Sequence, residues 1–435
     1  MQLLEGRTGA YAGWHPPVMS WLLGLVDWVR PGTAVFVFAN ALVLFAAVLS
    51  LLWLTPRVSW LAVPVVALCV ISPQFFLYQG IVWKDVLFAN AAVAGFVALA
   101  HAAAHWSRRP WRYGLLAAGW ALLVVAALAR QNGLVLLPFA AGAMAWCATH
   151  SGESRRSAIV QAGAALCAAL AVLTVANLAF ATRTVGDAGL KKQLRWLAFY
   201  DLNGALAGQP NLKLPPLEQA HPDIVGVMRS DGRKLYSPIR SDFLARPMRL
   251  QKAFNSATGP VLRASWLHYI AARPALYLHN RVDIFRWLVL TPDVDACAPY
   301  IVGVSGPPQA MAKLGLQPRY SENDEQLDDY GTWLEGTPAF SHVPFLILAL
   351  GELAFLVLRH RSADIVFACM ITAMIVFGLS FFFISIACDY RYLYPLDLGA
   401  LTTLIYIALD PRIRRPSKTS VTRIERPAPQ EIVEI

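Results

Sequence analysis

Three short polar stretches, set in a largely apolar chain, hold the residue types that can do chemistry. Lys84 and Asp85 close "YQGIVWKD", Arg130 and Asn132 stand in "RQNG", and Asp389, Arg391 and Tyr392 open "DYRYLYP". Charge next to hydrocarbon is expensive unless it is paired, solvated or used. Taken one at a time, each stretch has a plain explanation: an interfacial Lys84–Asp85 pair, a snorkelling Arg130, a polar span end at Asp389–Arg391. Taken together, Lys84, Arg130 and Arg391 suit a phosphate or pyrophosphate whose lipid tail stays in the bilayer. Arginine supplies a forked donor and lysine a point charge. Such a set holds a phosphate leaving group as negative charge grows on it.

This chemistry requires the three stretches to meet at one depth on one side, so the elements that carry them must be placed. The chain is 57% hydrophobic and 15% charged, against about 25% charge in a soluble domain. Apolar runs recur at about the 20-residue length that crosses a bilayer. The expected fold class is an all-α polytopic membrane protein. Nine spans are read, at 33–54, 58–77, 85–106, 111–129, 133–149, 158–182, 343–358, 364–388 and 393–409. Four domains follow: an N-terminal membrane domain (1–182), a mainly helical block (183–342), a C-terminal membrane domain (343–410) and a disordered tail (411–435).

The basic residues set the orientation. Nine alternating spans put Arg57, the Arg108–Arg112 group, Arg155 and Arg156, Arg359 and Arg361, and the tail from Arg412 on one face. Short Lys- and Arg-rich loops stay cytoplasmic. The net charge of +10 therefore reports topology and no nucleic-acid partner. The other face receives "GWHPP", all three polar stretches and the 183–342 block. In a bacterial inner membrane that face is periplasmic.

Residues 1–12 lack the features of a signal peptide, yet "GAYAGWHPPVMSW" falls outside the cytoplasm. The preferred expectation is a further span upstream of Met1; the alternative is a first span that inserts N-terminus out. Residues 14–29 read as an interfacial helix, with Trp14, Trp21 and Trp28 seven apart and Pro16 and Pro17 in its first turn. No CxxC occurs among the six cysteines, so neither a disulfide framework nor a zinc site is indicated. His101 and His105 have metal-binding spacing without a third ligand. The acidic run 321–329 reads as a solvated loop. Helical periodicity covers 189–206, 241–256 and 260–290, with Pro274 as a break.

With these pieces in order, the chain resembles the GT-C glycosyltransferase superfamily, which includes oligosaccharyltransferases, protein O-mannosyltransferases and lipid A aminoarabinose transferases. The likeness rests on "WHPP", "WKDVLF", "RQNG", "YDLNG" and "RPALYLHNR", spread over residues 5 to 400, each motif being short. It implies a GT-C-like fold and transfer of a sugar, with inversion, from a polyprenyl-phosphate donor to a periplasmic acceptor: a glycan, lipid or protein. It implies phosphate binding by Lys84, Arg130 and Arg391, a cavity lined by His15, Asn132, Asp201, Asp389 and Tyr392, and room for a divalent Mg or Mn ion. The family places an acid in its first outer loop as general base. Here the only acid before "WHPP" is Glu5, so Glu5 or Asp85 takes that role unless the family's acid lies upstream of Met1. The competing readings are a lipid-linked glycan transporter or flippase and a non-catalytic scaffold.

Overall fold

A computed structural model of the chain describes residues 1–55, 57–185 and 189–413. Among them every regular element is helical. Seven helices are long and apolar enough to cross a membrane: Ala34–Trp53, Lys84–Ala104, Arg109–Ala129, Gln131–His150, Arg155–Ala181, His342–Arg359 and Ser362–Ile384. The sequence makes them so through unbroken apolar runs with breakers and caps at the ends. Ser154 accepts a hydrogen bond from the Ser157 N–H at 3.2 Å to start one helix, and His360 closes another in the left-handed conformation at φ 56°.

Lys84–Ala104 is the central helix, with 89% of its apolar window buried, whereas Arg155–Ala181, at 11%, is peripheral. Val172, Val175 and Leu178 on that outer helix point outward and are exposed, a surface apolar enough to face lipid. Close packing inside the bundle depends on small residues. Gly95 and Gly119 face each other between adjacent helices, and a Cβ at Gly119 would meet the Gly95 carbonyl oxygen at 3.0 Å.

The basic loops gather at one end, as the sequence topology requires. Trp146 packs on His360, Arg361 pairs with Asp410 at 2.8 Å, Arg112 pairs with Glu153 at 3.0 Å, and the Ser59 N–H donates to the Leu409 carbonyl at 2.9 Å. At the opposite end, hereafter the capped end, residues between Trp196 and Ile284 of the block form a second hydrophobic core. Arg281 fastens it to the bundle by donating to the Ser385 carbonyl at 2.7 Å, and within the block it donates to Asp201. Its helices match the expected ones: Gly189–Gly208, Met248–Ser256, and Gly259–Ala272 followed by Pro274–Leu290, with the break at Pro274. Pro247 splits the stretch expected as one helix over 241–256.

Several expectations need correction. The expected second span is two helices, Ala62–Val70 and Pro73–Gly80, bent by 65°; Ser72–Pro73 interrupts the hydrogen-bond ladder there. The ninth is a 16-residue helix, Tyr394–Leu409. The interfacial helix covers only Val18–Val29, leaving Trp14 and Pro16 outside it. The helix Gln2–Thr8 packs against it, with Gly6 so close to Ser20 that a Cβ would come within 2.2 Å of the Ser20 carbonyl. The acidic run begins a helix, Glu322–Trp333, where Asp324 accepts from the Ser321 N–H at 2.8 Å.

The cysteine reading is overturned outright. Cys297 and Cys388 form a disulfide across 91 residues. A search for local CxxC spacing is blind to a bond that long, and Cys388 lies beyond the helix that ends at Ile384. The tail expected to be disordered lies, from residue 414 on, outside the described residues.

Candidate anion-binding site at the capped end

Lys84 opens the central helix directly after Trp83, whose extended backbone ends the loop. Arg130 follows the last residue of the Arg109–Ala129 helix. Arg391 sits in the short turn Tyr390–Tyr392 ahead of the final helix. Folding brings the three together. Arg130 pairs with Asp85, and Arg391 Nε lies 3.9 Å from the other oxygen of the same carboxylate. Asp85 is fully buried, so it acts as the shared counter-charge that holds two guanidinium groups at the bundle rim.

Aromatic faces complete the frame. The Arg130 guanidinium lies 5.0 Å from the Tyr392 ring centre and 5.3 Å from that of Phe381. Arg391 lies 5.1 Å from the Trp83 ring and 5.7 Å from Tyr392. Tyr392 therefore stands between the two arginines, and it stacks on Phe381 at 5.1 Å. Arg130 Nε and Arg391 Nε are buried without a hydrogen-bond acceptor among the described residues.

His15 reaches the cluster from the N-terminal segment. Its Nδ1 lies 3.2 Å from Lys84 Nζ. The ring is exposed, yet the surrounding protein, followed by the charges of Lys84, Arg391 and Arg130, pushes its pKa down from 6.5 to about 3. Exposure together with dense surroundings describes a recess. An ammonium can only donate, so Nδ1 accepts and the neutral ring carries its proton on Nε2.

Asp389 bonds Arg391 at 2.7 Å and lies 3.5 Å from Arg240. Arg240 comes from the capping block and has no sequence signal that marks it. Its strand-like neighbour Ile239 accepts from the Cys388 N–H at 2.8 Å, and Arg240 itself donates to the Ala296 carbonyl. The disulfide thus ties the segment ending at Cys297 to the residue immediately before Asp389.

Other expected site residues stand elsewhere. Asp201 is buried against Arg281, with Trp266 Nε1 donating to it at 2.8 Å, and it holds the capping block together. Asn132 turns to Ser380, donating at 2.9 Å. Glu5 accepts from Ser20 at 2.7 Å and from the Ala12 N–H at 3.2 Å, which shapes the turn leading to His15. Neither Glu5 nor Asp85 is placed as a free general base: one is held in the N-terminal hairpin and the other is buried between two arginines.

A divalent metal fits this donor set poorly, because Asp85 and Asp389 are both engaged by arginines. Among the described residues no group of three or more His, Cys, Asp or Glu side chains converges. His101 bonds Ser50 at 3.0 Å instead.

A recess of about 530 Å³ opens beside the cluster, lined mostly by apolar side chains that include Leu3, Leu23, Val37, Leu77 and Met311. Trp83 belongs to both features: it lines the recess and carries Arg391 over its ring. Comparison of the chain with protein families, with curated proteins and with solved structures gives no match.

Proposed function

We propose that the chain is a membrane glycosyltransferase of the GT-C kind. It transfers a sugar, with inversion, from a polyprenyl-phosphate donor to an acceptor at the capped end, which faces away from the cytoplasm. One observation carries this reading: cations from three separate parts of the chain, Lys84, Arg130 and Arg391, converge around His15. Buried guanidinium N–H groups lacking acceptors favour an anionic ligand. The apolar recess on the far side of Trp83 gives an isoprenoid tail a place next to its headgroup.

In this reading Lys84, Arg391 and the Nε2–H of His15 bind phosphate oxygens. Arg130 is set by Asp85 and Tyr392 and raises the positive potential there. Charge that develops on the departing polyprenyl phosphate meets donors already in position, which is where such a site lowers a barrier. Incubation of the purified protein with a panel of lipid-linked sugars, with released polyprenyl phosphate as readout, tests the proposal. Release by the wild type and its loss in Lys84→Ala and Arg391→Ala supports it; equal release in all three removes the phosphate role.

A second reading has its own support. Transporters carry broken helices, and the pair Ala62–Val70 and Pro73–Gly80 is bent by 65° near the capped end, where Gln74 donates to the Ala339 carbonyl at 2.8 Å. A lipid-linked glycan flippase would move fluorescent donor across vesicles without releasing polyprenyl phosphate, so the same preparation separates the two.

A further inference from the structure

The seam between the His342–Arg359 helix, the Tyr394–Leu409 helix and the bent pair carries polar groups that sugar transfer does not use. At its capped end, His342 Nδ1 lies 2.8 Å from Asp397 Oδ2. The Tyr390 hydroxyl donates to the same oxygen at 2.6 Å, and Gln74 Nε2 donates to the Tyr390 hydroxyl at 2.7 Å. All four side chains are buried. His342 Nε2 and Gln74 Oε1 have no partner among the described residues.

Glu352 follows on the same helix as His342, about 15 Å deeper at 1.5 Å per residue. It is 4% exposed, and neither carboxyl oxygen has a hydrogen-bond partner among the described residues. No cation or second carboxylate among them acts on it. The Cys69 thiol, at the end of the first half of the bent pair, is close enough to feel it. The two helices run parallel: His342 meets Asp397 at one end, and Arg359 donates to the Asp410 carbonyl at the other. On the second helix Thr403 is also buried, with its hydroxyl unpartnered among the described residues.

A bare carboxylate in such surroundings costs several kcal/mol, so the acid carries a proton. An intramembrane acid marks an ion or proton site by default. A metal ion is disfavoured, because among the described residues no group of three or more His, Cys, Asp or Glu side chains converges there. We propose that Glu352 is an intramembrane proton-binding site, exchanging its proton with the capped end along the seam through His342, Asp397 and Tyr390. Release leaves the carboxylate and passes H⁺ to water at the capped end; nothing is oxidised or reduced. This proposal shares no residue with the cation cluster and holds or fails apart from it.

The test is infrared difference spectroscopy of the full-length protein in lipid vesicles, wild type minus Glu352→Gln. The expected result is a protonated-carboxyl band that shifts within minutes of transfer to D₂O, at least tenfold more slowly in His342→Ala. Dicyclohexylcarbodiimide, which reacts with protonated acids in apolar surroundings, should remove the same band and label Glu352 in peptide maps. That labelling keeps the test decisive if Glu352→Gln does not fold. Absence of both band and label shows an ionised or inaccessible group and overturns the proposal. A band unshifted in D₂O over hours overturns the exchange path.

Discussion

Lys84 Nζ and His15 Nδ1 lie 3.2 Å apart, joining the first turn of the central helix to a residue that precedes every long apolar helix of the described chain. The contact makes Nδ1 the acceptor, and desolvation by the surrounding protein, followed by the charge of Lys84, keeps His15 neutral. Its consequence can be measured. With its pKa lowered from 6.5 to about 3, His15 takes up no proton in the free protein between those values. Equilibrium unfolding at pH 5 and at pH 8 should therefore show a loss of stability at the lower pH that His15→Gln removes. The sign for stability is the reverse of a salt-bridged histidine: the contribution is present above pH 6.5 and is lost as pH falls from there toward about 3.

Arg391→Ala and Lys84→Ala should leave the fold intact and cut sugar transfer by about 10²–10³-fold, the loss typical of removing one donor to a developing anion. Arg391→Lys should recover only part of it, since an ammonium lacks the planar fork that lies over Trp83. Circular dichroism and turnover on the same samples separate folding from chemistry.

Arg130→Ala should behave differently. It takes from the buried Asp85 its direct partner, leaving the more distant Arg391 and Lys84, and breaking a buried pair costs about 3–5 kcal/mol. The variant should melt earlier, and Asp85→Asn added to it should restore part of the loss. A double-mutant cycle in melting temperature reads the coupling. Full stability of Arg130→Ala alone would show that Asp85 needs no counter-charge.

Asp201→Asn should lower stability and leave the donor dissociation constant of the surviving folded protein unchanged, because Asp201 meets Arg281 and Trp266 away from the cations. A changed donor affinity in the folded variant would return Asp201 to the site.

Cys297→Ser with Cys388→Ser should cost about 2–4 kcal/mol, as for a native disulfide. It should also weaken donor binding, because Cys388 adjoins Asp389, the partner of both Arg391 and Arg240. Equal donor affinity in the folded double variant would separate the bond from the site.

The parts of this molecule legible in the sequence are those set by local pattern. Apolar runs of bilayer length gave seven helices, Pro274 gave the break it promised, and alternation of spans put Lys84, Arg130 and Arg391 on one side. Features made by distant residues were not legible. The disulfide joins Cys297 to Cys388 through folding alone, and Arg240 reaches Asp389 from the middle of the capping block. Asp201 is expected in the cavity on the resemblance of "YDLNG" alone, yet Arg281, eighty positions later, pairs with it inside the capping block. The bend at Ser72–Pro73 interrupts a run whose hydropathy alone reads as continuous. Glu352 had only its charge to mark it, within a helix whose composition reads as a plain span.

Asp85 and Arg130 come from the early helices, whereas Arg391 enters next to the last one. During synthesis the ribosome must deliver nearly the whole polypeptide before these groups can meet. A nascent protein halted ahead of its final hairpin would hold Asp85 and Arg130 without Arg391, so the order in which the segments are made leaves the cation cluster incomplete until the last helix is in place.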